Sequence, residues 1–292
     1  MRVVIVGAGR MGAQIGCEYA LGGHDVALVA RDADAALARA EAGFALLLRH
    51  ELRPPAEVEA AMERITATAD LDAVTPGCDL AVESVPEDLA LKGLLLRRVA
   101  AASPQAVLAT NTSSLRVTAI GEAAGAPERM VATHYWNPPL LMPLVEIVGG
   151  EGTSPDVVAF ARDTVASLGK RPIVVDRDVP GFIWNRLQYA LVREIGWIVS
   201  NGVATPEVVD TVVRDGLARR YRYIGPFETI ALGGLETWDR MARNILPTFS
   251  DAQDLSALEP WADAIDELDA ILARRDLGLA GEAVRESRRE RV

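Results

Sequence analysis

Residues 2–12 read Arg2-Val3-Val4-Ile5-Val6-Gly7-Ala8-Gly9-Arg10-Met11-Gly12, and the fold follows from this stretch. An apolar, β-branched run stops at a glycine. Met11 to Leu21 then carries the small and apolar residues of a buried helix that closes at Gly22-Gly23. Strand, glycine turn and helix follow in order, with G-x-G-x-x-G at the turn. Gly7 permits the tight turn, Gly9 lets backbone approach a pyrophosphate, and Gly12 lets the helix pack on the strand. The helix N-terminus at Arg10 and Met11 then faces the anion. In this context the glycine spacing predicts a dinucleotide site at Gly7, Gly9, Arg10, Met11 and Gly12.

A second strand spans Val26 to Ala30. The ribose-reading position at its end is Ala30, followed by Arg31 and Asp32. A small residue with an arginine suits a 2′-phosphate, whereas Asp32 suits a 2′-hydroxyl, so the residues leave NAD and NADP both open. Asp32 or Asp34 caps an Ala-rich helix over about 34–50, Pro54-Pro55 breaks it, and a second stretch resumes at about 56–63. This is a helical hairpin inserted into a sheet domain. Strands recur at Ile65–Ala67, Leu80–Glu83, Val107–Thr110, Met130–Tyr135, Leu144–Val148 and Ile173–Val175, with helical segments at about 88–102 and 154–168.

The pattern predicts an α/β fold: an N-terminal Rossmann-type, mostly parallel sheet domain with the hairpin insertion, followed by an all-α C-terminal domain. The break falls at 176–181, giving domains 1–178 and 179–292. The later segments at about 182–199, 206–218 and 226–245 carry more apolar stripe than one small domain buries.

Composition narrows the function classes. The chain has 292 residues and a formal charge of −11, so nucleic acid and anionic membrane are poor partners. No run approaches a membrane span and the N-terminal apolar run is too short for a signal peptide, so a cytoplasmic protein is expected. Cys17 and Cys78 form neither a disulfide framework nor a metal pattern, and no metal is expected. Lys92 and Lys170 are the only lysines, and His24, His50 and His134 the only histidines, so acid–base chemistry has few owners. Trp184, Trp197, Trp238 and Trp261 read as packing residues, and Arg285 to Val292 as a solvated tail.

The chemistry-bearing residues cluster after strands: Asn111-Thr112-Ser113-Ser114, then His134-Tyr135-Trp136-Asn137-Pro138-Pro139, then Leu144-Val145-Glu146. His134 and Glu146 lie near the ends of adjacent strands joined by a proline turn. A carboxylate on one imidazole nitrogen fixes the tautomer and favours the protonated ring, which frees the other nitrogen to exchange a proton with a substrate oxygen. Pro180-Gly181-Phe182-Ile183-Trp184-Asn185-Arg186 opens the helical part and puts Asn185 in the first turns of a helix.

Together the motifs GAGRMG, VESVPEDLALK, NTSSL, THYWNPP, LVEIV, VPGFIWNR and IGPFE, in this order between Gly7 and about Leu235, resemble the L-3-hydroxyacyl-CoA dehydrogenase family. That family also holds dehydrogenases of free hydroxy acids, the gulonate dehydrogenase and lambda-crystallin branch. The resemblance implies His134 as general acid/base, Glu146 as its orienting partner, and Ser113 and Asn185 as holders of the substrate oxygens. It further implies Glu87, Lys92, Asn111 and Asn137 at the dinucleotide site, NAD(H) as cofactor, and a homodimer through the C-terminal helices. NADP(H) stays open because Ala30-Arg31 replaces the usual acid.

Three readings follow. The first is a dehydrogenase of 3-hydroxyacyl-CoA thioesters. The second acts on a free 3-hydroxy or 3-oxo acid: the hairpin shows Leu46-Leu47-Leu48 and Arg53-Pro54 where CoA-binding members carry polar and lysine residues, leaving Arg49 or Arg53 for a CoA phosphate. The family's terminal G-K/E-G-F-Y segment is also missing. The third is a non-catalytic dinucleotide-binding protein of the crystallin kind, against which intact Ser113, His134, Glu146 and Asn185 argue. A lysine-based β-hydroxy-acid dehydrogenase is rejected, since no lysine follows Lys170.

Overall fold

The computed structural model describes residues 1–259 and 268–289. Eight strands form one sheet in the order β3-β2-β1-β4-β5-β6-β7-β8, where β1 is Arg2–Val6, β2 Asp25–Val29, β3 Ile65–Thr68, β4 Leu80–Glu83, β5 Val107–Thr110, β6 Met130–Tyr135, β7 Leu144–Gly149 and β8 Arg171–Val175. All neighbours pair in parallel except β6 and β7, which are antiparallel. The order reverses between β1 and β4, the switch point at which open α/β sheets place their ligands.

Side-chain alternation along each strand sorts the core onto two faces. From β1, Val3 and Ile5 join Ile15, Leu28, Phe44 and Val165 on one face, while Val4 and Val6 join Leu96, Val99, Leu108 and Ile120 on the other. Helix α1 (Arg10–Leu21), helix α2 (Ala33–Arg49) and helix α3 (Pro55–Met62) cover the first face, α2 and α3 forming the expected hairpin. Asp32 caps α2 by accepting from the Ala35 N–H at 2.9 Å. Helix α4 (Leu71–Val74) is a single turn; α5 (Leu89–Ala102) and α6 (Val117–Ala124) cover the second face, and α7 (Pro155–Ser167) returns to the first.

By internal contacts the chain divides into two compact units, Met1–Asn185 with the final helix from Asp269, and Arg186–Leu268. Helix α8 (Trp184–Ser200) opens the second, which continues through a helical stretch from Pro206 to Tyr221, its middle wound as a π-helix over Val212–Ala218, and then helices at Pro226–Gly233 and Leu235–Ile245. The final helix runs Leu268–Arg289, so the tail expected from Arg285 is helical as far as Arg289. Trp261 lies outside the described residues. Among those residues, no helix is long and apolar enough to cross a membrane.

Candidate active site

The turn after β1 is drawn tight against β4. Gly7 has φ +98°, and a Cβ there would lie 2.6 Å from Val85 Cγ1 and 2.9 Å from the Ser84 backbone. A Cβ on Gly12 would sit 2.2 Å from the Gly7 carbonyl oxygen, so helix and strand approach as closely as glycine permits. Gly9 differs: a Cβ there would meet nothing within 4 Å, and no side chain caps the N-terminus of α1. Open space before uncapped helical N–H groups is what a pyrophosphate requires, so these residues fit a dinucleotide. Arg10, Arg31 and Asp32 are exposed around this end of the sheet.

Behind the turn lies a buried polar cluster that sequence reading reached only in part. Lys92 is 1 % exposed, and its ammonium contacts Glu83 Oε1 at 2.8 Å, Glu83 Oε2 at 3.1 Å, the Val85 carbonyl at 3.1 Å and Glu87 Oε2 at 3.1 Å. Its donors are thus spent on protein oxygens, so the structure gives Lys92 an internal bracing role. Glu83, which the motifs did not single out, also accepts from Thr110 Oγ1 and the Val85 N–H. Burial raises its carboxyl above the ordinary range against the pull of Lys92. Glu87 faces outward and gathers the Asn111–Ser114 turn, accepting from the Ser113 and Ser114 N–H groups at 2.6 and 3.0 Å and from Thr112 Oγ1 at 2.9 Å. Burial acts to raise this carboxyl, but the Ser113 N–H and Lys92 outweigh it and hold it below the ordinary range.

Asn111 Oδ1 accepts from the Tyr135 N–H at 2.8 Å, joining the end of β5 to the end of β6, while Asn137 is exposed beyond β6.

The antiparallel register places His134 directly opposite Glu146. His134 Nδ1 lies 2.7 Å from Glu146 Oε2, with His134 5 % and Glu146 0 % exposed. Glu146 Oε1 accepts the Ile183 and Trp184 N–H groups at 2.9 and 3.0 Å, so one carboxylate holds both the imidazole and the start of α8. Burial pushes this carboxyl up, but the bond to His134 and the two backbone donors prevail, leaving it below the ordinary range. Phe182, buried and in the left-handed region at φ +49°, packs edge-on against the His134 ring with centroids 5.7 Å apart. With Nδ1 on a carboxylate, Nε2 has no hydrogen-bond partner among the described residues and is the nitrogen left for a reacting oxygen.

Asn185 Nδ2 donates to the Ser113 carbonyl at 2.7 Å, joining these two predicted residues. Ser113 Oγ sits 3.0 Å from Glu87 Oε1. Trp184 departs from its reading as an unpaired packing residue. It stacks on Trp136, just beyond the end of β6, with centroids 3.9 Å apart, and is one residue from Asn185. Forty-eight positions separate the two indoles, so no local pattern announces the pair.

Residues 2–179 match the 3-hydroxyacyl-CoA dehydrogenase NAD binding domain and residues 181–268 its C-terminal domain. The chain belongs to the 3-hydroxyacyl-CoA dehydrogenase family. It is 34% identical to the 5-formyl-3-hydroxy-2-methylpyridine 4-carboxylate 5-dehydrogenase of Mesorhizobium japonicum, over 88% of this chain and 83% of that one. It is 39% identical to the L-carnitine dehydrogenase of Streptomyces coelicolor, over 80% of this chain and 74% of that one. A crystal structure of a 5-formyl-3-hydroxy-2-methylpyridine 4-carboxylic acid 5-dehydrogenase, an NAD+ dependent dismutase, superposes with a TM-score of 0.85 at 28% identity, covering 96% of each chain. Like its family, this chain is an NAD(H)-dependent dehydrogenase acting on CH–OH groups of a small molecule.

Proposed function

We propose that this family member interconverts a free 3-hydroxy acid and its 3-oxo partner without a CoA carrier, with His134 as general acid/base. One observation carries the reaction: His134 is held by Glu146 at Nδ1 while Nε2 has no partner among the described residues. In oxidation Nε2 accepts the hydroxyl proton, and in reduction it returns it. Glu146 keeps the proton of the resting ring on Nδ1 and steadies the charge that Nε2 acquires. Asn185 and Ser113 orient the substrate oxygens. Gly7, Gly9, Arg10, Met11 and Gly12 would receive the pyrophosphate, Asp32 or Arg31 the ribose, and Asn111, Asn137 and Glu87 the nicotinamide end, with Lys92 bracing Glu87. Bound NAD(H) supplies the hydride acceptor or donor.

A substrate without CoA is supported by the relatives' names, which give carnitine and a pyridine carboxylate rather than a thioester. In the hairpin, Leu46-Leu47-Leu48 carries no cation and Arg53 lies 3.9 Å from Glu57, which leaves exposed Arg49 as the cation nearest to hand for a CoA phosphate. The CoA-thioester reading rests on the family description of the two matched domains. Initial rates of acetoacetate and acetoacetyl-CoA reduction with NADH separate the two. Equal or better use of the free acid is expected, and a strong preference for the thioester would reject this reading.

The quaternary state belongs to the same proposal: a homodimer formed through the helices of the second unit, in a cytoplasmic enzyme.

A further inference from the structure

On one face of α8, Arg186, Tyr189, Ala190 and Arg193, spaced three or four residues apart in pairs, line an open cleft whose other wall is Ala252, Gln253, Asp254 and Leu255. Its volume is about 580 Å³, in the range of small-molecule sites. The 252–255 segment is fixed to the helix, since Glu194 Oε2 accepts the Ser250 N–H at 2.9 Å.

Charge inside this cavity is unbalanced. Neither Arg186 nor Arg193 makes an ion pair or hydrogen bond among the described residues, and Arg193 Nε is buried with no partner. The polar wall compensates only in part, since two guanidinium groups face the single carboxylate of Asp254. Asp254 Oδ1 is taken by the Ser256 N–H at 3.0 Å and Ser256 Oγ at 2.6 Å, and Gln253 Nε2 donates to the Asp251 carbonyl at 2.8 Å. A buried donor without an acceptor is costly, and two unpaired guanidinium groups sharing a cavity are unusual in a chain of net charge −11.

We propose that this cavity is a binding site for a small organic carboxylate. The planar guanidinium fork matches a carboxylate in two-point contact, and Arg193 Nε is the donor such an oxygen would satisfy. Tyr189, Ala190 and Leu255 supply a wall for an apolar or aromatic body, which bare phosphate would leave uncovered. The assignment is independent of the reaction proposed for His134.

Calorimetric titration of the full chain with benzoate, benzamide and inorganic phosphate, with and without NAD, tests it. Benzoate is expected to bind the wild type and His134→Ala alike, and benzamide to fail. Arg193→Gln and Arg186→Gln should each weaken benzoate about tenfold or more, the range of a charge-assisted hydrogen bond. Arg193→Lys should fall between wild type and Arg193→Gln. Exposed Arg186 supplies the variant least exposed to folding defects. Undiminished binding in both glutamine variants, loss of benzoate binding in His134→Ala, or phosphate binding as tight as benzoate would each overturn the proposal.

Discussion

Glu146 does two jobs with its two oxygens, and its pKa direction turns this into a pH prediction. Its folded carboxyl lies below the ordinary carboxylate range, so it binds a proton less readily than in the unfolded chain. Its stabilisation is therefore fully present above the ordinary range and is lost as pH falls through the lower folded value. Glu146→Gln removes that linkage. The melting temperature of the variant should lie below wild type at neutral pH, with the gap narrowing on acidification. Thermal scans across acidic pH check the trend, and a constant gap would contradict it. The same variant should lose at least about tenfold in kcat, as expected when a group orienting a reactive side chain is removed. His134→Ala should lose about 10² to 10⁴ in kcat, the usual share of general acid/base catalysis, while NADH titration followed by fluorescence stays near wild type. Wild-type turnover in His134→Ala would refute the assignment. The contacts His134–Glu146 and Asn185–Ser113 join residues that sit in short motifs at strand and helix ends, which made their grouping legible. Glu83 and the Trp136–Trp184 stack were not legible, because each depends on a partner brought in by tertiary folding.

At the scale of elements, the first turn and helix are the least forgiving. Gly12→Ala would drive a methyl group into the Gly7 carbonyl oxygen, and neither backbone can yield without moving α1 from β1. A loss of about 1–3 kcal/mol in stability is expected from such overpacking, together with weakened NADH binding, measured by denaturant melts and fluorescence titration. Gly9→Ala meets open space and should fold with near wild-type stability while still weakening NADH, so the pair separates packing from cofactor approach. All eight strands could be read from their apolar β-branched runs, and the hairpin from Pro54-Pro55. Helix α6 could not. It begins with β-branched Val117 and Thr118, holds Gly121 at its centre and has no local cap. Its first N–H groups are instead satisfied by Asp178, whose oxygens accept from Val117 and Thr118 at 3.0 and 2.8 Å from sixty residues away. A helix capped from that distance leaves no start signal in its own sequence. Phe182 is a similar case: its positive φ costs about 1–2 kcal/mol, and the His134 ring and the Glu146 bonds to the next two N–H groups hold it there.

At the scale of the whole molecule, the two units differ in what they leave uncovered. The sheet unit buries most of its aliphatic strand residues on both faces, with Ile173 and Val174 of the edge strand β8 exposed. The helical unit exposes Phe227 at 87 %, Leu232 at 77 % and Tyr223 and Leu235 at 73 % each, all within thirteen residues. Scattered exposed leucines need no explanation, but a run of large apolar side chains this dense marks an interaction surface. The homodimer proposed above would cover this run, because an isologous contact lets one patch cover itself. Sedimentation at micromolar concentration should therefore give about twice the 31.3 kDa chain mass. Phe227→Asp and Leu235→Asp, both exposed in the single chain, should shift the mass toward the monomer with little change in helical circular dichroism. A monomeric wild type would reject the dimer, and dimers that survive both substitutions would place the interface elsewhere.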